Sequence, residues 1–407
     1  RMIKVGLDIG NSKISCIVCD LKELNKPKIL AFVSLPTSDV NKGSFTNYES
    51  IKKEVLEVVN TAAKESVTEI KSINLNVPLI NAYSLFYNSE IEIENELIGE
   101  LHLKKAINQS EFFEESSSHQ ILMNYIINYD IDNKAISGNP LGNYAKKLNL
   151  NFYKLLVDKN IINTYLNLFK ELDIHIENFI PTPLSSALST LNKDDKDLGS
   201  ICIDLGESST SLAVFENSKL IFCDSINVGS KNITNDIARG ISTTKESAER
   251  LKTLYGSVMS SPSDEYEIIE VPLYSSDEKQ FKQINRNTIN SIIKPRVEET
   301  LELVWQKLKQ YDLHKKRIKN LILTGGGSQL EGIVDYAQII FDSNVRLAKP
   351  IFLKGAKKEF SGPQFAQTLG SVFFDKQHYE VNFLKKSQNL RKNSIFQRFS
   401  SWLDQYI

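Results

Sequence analysis

One pattern constrains this chain more than any other: the stretch Val5 to Cys19 recurs, about two hundred residues later, as Ile201 to Phe215. The two align without a gap, Val5-Gly-Leu-Asp8-Ile-Gly10-Asn11-Ser12-Lys13-Ile-Ser15 against Ile201-Cys-Ile-Asp204-Leu-Gly206-Glu207-Ser208-Ser209-Thr210-Ser211. Each reads as an apolar strand, a turn carrying Asp, Gly and a hydroxyl residue, and a second apolar strand. One Asp-x-Gly turn is favoured for purely local reasons. Two matching ones in a single chain point to a duplicated lobe.

The length agrees, because 407 residues exceed one ordinary core and divide naturally into two lobes of roughly 150 to 200 residues. A net charge of -1 gives no broad pull towards nucleic acid, so none is expected as a partner. No run approaches the roughly 18 apolar residues of a membrane span, and the chain enters a strand at Ile3, so neither a membrane-spanning helix nor a signal peptide is expected and the compartment is the cytoplasm. Cys16 and Cys19 lie three apart within an expected strand, where their side chains take opposite faces. With Cys202 and Cys223 they read as buried, reduced thiols. His102, His119, His175, His314 and His378 are scattered without ligand spacing, so no His/Cys metal centre is implied.

Along the chain, an α/β rhythm surrounds two regions of different texture. Residues 1–71 and 151–180 read as the first lobe's core, with a helix over Ser50 to Lys64 whose Ile51, Val55, Val58 and Val59 share a face. Residues 72–150, short apolar strands broken by acidic and Asn-rich stretches, read as an inserted small subdomain. Residues 181–227 and 312–375 read as the second lobe's core, opening on Pro181, helix Leu184 to Leu191 and a solvated turn, Lys193 to Asp197. Residues 228–311 form its small subdomain, with helices from Gly229, over Lys245 to Tyr255 and over Arg286 to Tyr311. The almost wholly apolar strand Ile318 to Leu323 suits a buried parallel position. It runs into Thr324-Gly325-Gly326-Gly327-Ser328, where glycine lets backbone N–H groups approach a phosphate or sugar and a following helix adds positive potential.

Folded with approximate two-fold symmetry, the hairpins would grip a polyphosphate from both sides, through backbone amides and the hydroxyls of Ser12, Ser208, Ser209 and Thr210. Asp8 and Asp204 would hold Mg²⁺ mainly through water, since Mg²⁺ dehydrates reluctantly, and Lys13 would neutralise a terminal phosphate. Asp204 is the candidate catalytic residue.

These residues resemble the actin, Hsp70 and sugar-kinase superfamily of ATP-binding proteins. Val5 to Lys13 is similar to its first phosphate motif, with Gly10 and Asn11; Asp204 to Thr210 to its second, with Gly206; and Leu323 to Ser328 to its adenosine motif. More narrowly, the chain resembles the FtsA family of bacterial division proteins. That likeness rests on Gly6 to Lys13, Lys42-Gly43-Ser44-Phe45, Gly138-Asn139-Pro140-Leu141-Gly142, Ile233 to Ala238, Glu246 to Lys252 and Leu323 to Ser328. The resemblance implies an actin-like two-lobed fold of duplicated ribonuclease H-like domains, ATP and Mg²⁺ as cofactors, and Glu246, Glu249 and Arg250 as ribose and base contacts. It also implies self-assembly into filaments at the cytoplasmic face of the inner membrane at the septum. Its implied partners are the C-terminal peptide of FtsZ, bound by 228–311, and other division proteins. A sugar-type kinase and a pilus-assembly actin homologue are the alternatives of the same fold. One departure bears on chemistry: the second phosphate loop of the superfamily usually reads Asp-x-Gly-Gly-Gly-Thr, and here Glu207, Ser208 and Ser209 stand in its glycine positions. A carboxylate beside a phosphate is repulsive by roughly 1 to 4 kcal/mol at contact range. Weak ATP affinity or turnover is therefore expected, unless Glu207 turns to solvent.

After a polar linker, 376–393, the last residues change character. Ile395, Phe396, Phe399, Trp402, Leu403 and Tyr406 fall on one face of a helix over 394–407, with Ser394 as N-cap. Lys385, Lys386, Arg391, Lys392 and Arg398 face a single acid, Asp404. Aromatics opposite a polar face, with a basic approach, suit a helix lying in the headgroups of an anionic membrane. One short helix binds lipid only marginally, so attachment needs many tails on one polymer. Trp402→Glu, or deletion from Asn393, is expected to abolish co-sedimentation with anionic liposomes while the core stays folded; retained lipid binding would contradict the anchor.

Overall fold

In a computed structural model, the described residues are 2–22, 27–110, 116–136, 138–274, 280–316, 318–348, 350–351, 355 and 357–379. The expected tail helix, with Ile395, Phe396, Phe399, Trp402, Leu403 and Tyr406, lies outside them. Of the expected linker, Lys376–Tyr379 form a short 3₁₀ turn. The chain divides into two compact units. Of the described residues, one takes those up to Ile80 with Leu166–Ser218 and Cys223–Phe374; the other takes those of Asn81–Tyr165, Lys219–Phe222 and 375–379.

The repeat generates two sheets of one design. β1 (Ile3–Ile9), β2 (Lys13–Asp20) and β3 (Lys28–Pro36) form an antiparallel meander. A small hairpin, β4 (Val40–Asn41) with β5 (Ser44–Phe45), turns through Lys42 and Gly43, both at positive φ. It leads into α1 (Tyr48–Ser66), capped by the Asn47 side chain accepting from the Ser50 N–H. As its spacing requires, α1 buries Ile51, Val55, Val58, Val59 and Ala62. β6 (Ser72–Val77) then runs parallel to β1.

The second unit is a four-stranded sheet. It contains β7 (Tyr83–Leu97), α2 (Glu100–Ser110), β8 (His119–Ile131), β9 (Lys134–Ile136) and β10 (Tyr144–Asp158), in strand order β7-β10-β8-β9. Ile91, Ile93, Leu148, Leu150 and Phe152 pack with Leu103 and Ala106 of α2.

After α3 (Lys159–Glu171), β11 (His175–Pro181) pairs parallel with β6 and completes the first sheet as β11-β6-β1-β2-β3. α4 (Thr182–Thr190) and α5 (Lys193–Leu198) lead to the second copy. There β12 (Ser200–Leu205) and β13 (Thr210–Glu216) pair antiparallel, followed by β14 (Lys219–Ile226), α6 (Ser230–Ile241), α7 (Lys245–Tyr255), and the hairpin β15 (Ile268–Pro272) with β16 (Phe281–Asn285). Last come α8 (Arg286–Gln310), β17 (Asn320–Thr324), α9 (Ile333–Phe341), β18 (Asn344–Leu347) and α10 (Ala366–Gly370). β17 lies parallel between β12 and β18, and the order β14-β13-β12-β17-β18 repeats that of the first sheet. Registers repeat too: Asp8 faces Ser15 and Asp204 faces Ser211, at the same offset along the chain.

Three boundaries differ from the sequence reading. β6 belongs to the first sheet, so the inserted unit begins at Asn81, and it continues through β10 to Tyr165. Lys193 to Asp197, expected as a turn, is helical, because Asn192 and Asp195 form a capping box. The segment after Gly362, expected in the second lobe's core, packs on the first sheet. There Phe365, Leu369 and Val372 join Ile17, Cys19, Ile29 and Phe32 in one buried cluster. All four cysteines are buried, and burial pushes the thiols of Cys16, Cys19 and Cys202 up to about 12. Among the described residues no helix is long and apolar enough to cross a membrane.

Candidate functional site

The two Asp-x-Gly hairpins border one cleft of about 950 Å³. Each turn closes in the same way, Gly10 N donating to Lys13 O at 2.9 Å and Gly206 N to Ser209 O at 3.0 Å. Gly10, Asn11, Ser12 and Lys13 therefore line one wall, and Gly206, Glu207, Ser208 and Ser209 line another. The Asn11 side chain accepts from the Lys42 N–H at 3.1 Å, which fastens the β4–β5 turn, with Lys42 and Gly43, to the rim.

At the end of β17 the backbone turns through Gly325, at φ +83, towards Gly326 and Gly327, and all three border the cleft. Glycine is required at 325 on two counts: its left-handed φ, and a position where any Cβ would overlap Asp204 Oδ1.

Asp8 and Asp204 are 7% and 3% exposed. Burial pushes both carboxyls above the usual range. For Asp8 a hydrogen bond from Asn76 (3.1 Å) and the charge of Lys13 pull the other way, while the charge of Asp204 adds to the rise. For Asp204 the opposing influences are hydrogen bonds from Ser186 and Gln367, then Lys13. The Lys13 ammonium is itself pushed down by burial and held up by Asp8, Asp204 and Glu207. It donates to Gln364 O at 3.1 Å and sits 4.2 Å from the centre of the Phe365 ring.

Two buried carboxylates short of positive charge fit a hydrated divalent cation. Among the described residues no third His, Cys, Asp or Glu completes a direct ligand set. Water and phosphate oxygens would complete the shell, as Mg²⁺ prefers. Around the same cleft Ser211 Oγ, Asn235 Oδ1 and Gln364 Oε1 are buried with no hydrogen-bond partner among the described residues. A polar ligand would satisfy them.

The cleft does not gather every expected residue. On α7, Glu249 lines the cleft together with Lys245, Lys252 and Thr253, whereas Glu246 and Arg250 are exposed and do not. Residues 245, 249 and 252 lie one turn apart on one helical face, with 253 at its edge. Glu249 accepts from Lys252 Nζ at 2.8 Å. Thr210 and Ser328 are buried behind the loops, their hydroxyls donating to Val228 O and Gly325 O. Glu207 is exposed, yet it borders the cleft and its charge reaches Lys13. Sequence reasoning missed Asn76, Ser186, Gln364 and Gln367. Only Asn76 carried a readable signal, since Asn74 and Asn76 share one face of a buried strand and so demand partners.

The family model described as "Cell division protein FtsA" matches residues 201–370. The chain is 27% identical to the cell division protein FtsA of Rhizobium meliloti (strain 1021) over 411 aligned positions, covering 98% of this chain and 93% of that protein. It is 25% identical to that of Escherichia coli (strain K12), covering 99% and 98%. The chain is FtsA-like over nearly its whole length. Among solved structures, the PilM-PilN type IV pilus biogenesis complex matches at TM-score 0.59 and 16% identity, covering 91% of this chain and 97% of that one. MreB5 of Spiroplasma citri bound to ADP matches at 0.55 and 13%, covering 95% and 99%. These likenesses show the fold of this FtsA-like chain: α/β with several mixed sheets, as in actin-like ATPases.

The raised carboxyls have a consequence for stability. A carboxyl with a higher pKa in the folded state binds its proton more tightly there than in the unfolded chain. Nucleotide-free stability therefore falls as pH rises from the ordinary aspartate value through the raised one, and the burden persists at neutral pH. Asp204→Asn is expected to melt higher than wild type at pH 7 without nucleotide, with the difference shrinking towards pH 4. Thermal melting across that range checks this, and a lower melting temperature at pH 7 would contradict it.

Proposed function

We propose that this FtsA-like chain binds Mg²⁺-ATP between the paired hairpins, polymerises on the membrane, and anchors the FtsZ ring there through its C-terminal amphipathic helix. The observation that carries the reading is the equivalence of the two turns around one cleft, with Asp8 and Lys13 on one and Asp204 on the other. The near full-length match to cell division proteins supports the cellular role. The repeated sheet order supports a duplicated ribonuclease H-like design.

In this reading Asp8 and Asp204 hold the hydrated cation, which supplies charge neutralisation on the phosphates. Lys13 adds a positive charge beside them. The turns of 10–13 and 206–209 supply donors, the 325–327 turn lies along the nucleoside, and Glu249 and Lys252 face the cleft from α7. Glu207 sets a negative charge at the second turn, which points to weak turnover, so that ATP acts mainly by favouring the polymer-competent state through differential binding. FtsZ is assigned to the 228–311 subdomain and the anionic membrane to 394–407.

Electron microscopy of the purified protein on anionic lipid monolayers tests the reading. Filaments that require both lipid and ATP are expected. Absence of filaments, alongside phosphorylation of a sugar supplied with ATP, would replace the adaptor with a kinase.

A further inference from the structure

The stretch Gln364 to Gln367, far along the chain from either hairpin, contacts Lys13 and Asp204 directly and Asp8 through Asn76. Lys13 donates to Gln364 O and lies over Phe365. Asn76 Nδ2 donates both to Asp8 Oδ1 (3.1 Å) and to Gln367 O (3.0 Å), while its Oδ1 accepts from Ser185 Oγ at 2.6 Å. Gln367 Nε2 donates to Asp204 Oδ2 at 3.1 Å, an oxygen that also accepts from Ser186 Oγ. One residue thus reaches both carboxylates, Asp204 through its side chain and Asp8 through Asn76.

We infer that Gln367 is a positioning residue of the cleft, holding Asp204 in the orientation from which it serves a hydrated divalent cation; this rests on the nucleotide reading above. The terminal torsion of an aspartate is broad and two-fold, so a single hydrogen bond leaves its plane free to turn. Ser186 and Gln367 together pin Oδ2, and Oδ1 is backed by Gly325, whose missing side chain makes that placement feasible.

The amide is presented from a rigid base, because Gly370 lies against the Ser185 carbonyl where no Cβ would fit. Ser371 packs on Gly6, and its carbonyl accepts from Asn74 Nδ2 at 2.8 Å. Phe365, Leu369 and Val372 are buried in the first sheet's core. A ligand-bearing group held by such a shell costs little reorganisation when the cation arrives.

The test uses the full chain and a fluorescent ATP analogue, with binding measured against Mg²⁺ concentration and separately in EDTA. Gln367→Met keeps length and loses the donor. It is expected to raise the Mg²⁺ concentration for half-maximal binding roughly tenfold, the worth of one hydrogen bond to a charged group. Binding in EDTA should stay as in wild type. Gln367→Ala should give the same shift, which guards against a misfit peculiar to Met. If wild type binds in a Mg²⁺-dependent way and both variants titrate like it, the inference is overturned while the nucleotide reading stands. Equal weakening in Mg²⁺ and in EDTA also overturns it, since that is a merely structural role. If wild type shows no Mg²⁺-dependent binding, the nucleotide reading fails and the inference falls with it.

Discussion

Everything near the cleft answers to one constraint: two carboxylates, Asp8 and Asp204, are buried at equivalent strand ends with Lys13 close to both. Taking such charges out of water is costly unless donors and opposite charge meet them. The fold supplies donors from distant segments: Asn76 from β6, Ser186 from α4 and Gln367 from α10. It leaves the remaining charge to be met by whatever enters. Glycine at 325 follows from the same constraint, because the turn after β17 passes where Asp204 Oδ1 already sits.

The two copies are equivalent in backbone and unequal in charge. Both turns close through the same Gly-to-residue bond, and both leading aspartates face a serine on the neighbouring strand. At the position after glycine, however, the first turn carries Asn11 and the second Glu207. Asn11 is engaged with Lys42, whereas Glu207 is an exposed carboxylate on the cleft. Near a nucleotide the first turn is a neutral cradle. The second adds a negative charge that Lys13 and a cation must offset, an asymmetry that separates binding from efficient hydrolysis.

The parts of this arrangement legible in the sequence are those set by local pattern. The hairpins, α1, α7 and the buried strand β17 follow from periodicity and turn chemistry, with ends shifted by a residue or two. Readable in principle, but missed, was the Asn192 to Asp195 capping box that makes α5 a helix. The boundary expected between 150 and 151 falls inside the single strand β10, near Asn149 and Asn151. They are i, i+2 neighbours on one face of a single strand whose other face carries Leu148, Leu150 and Phe152. Gln364 and Gln367 were hidden for a different reason. Their roles exist only because α10 returns to the first sheet, and no local pattern encodes a partner so far away in sequence. Among the residues chosen for the site, those on the turns themselves line the cleft. Glu246 and Arg250 do not.

The central claim is that the paired turns act on one ligand together. Amide hydrogen exchange of the full chain with and without Mg²⁺-ATP measures this directly. The account predicts that peptides containing 8–13 and 204–209 gain protection together, at the same nucleotide concentration. Protection of one turn without the other would contradict it.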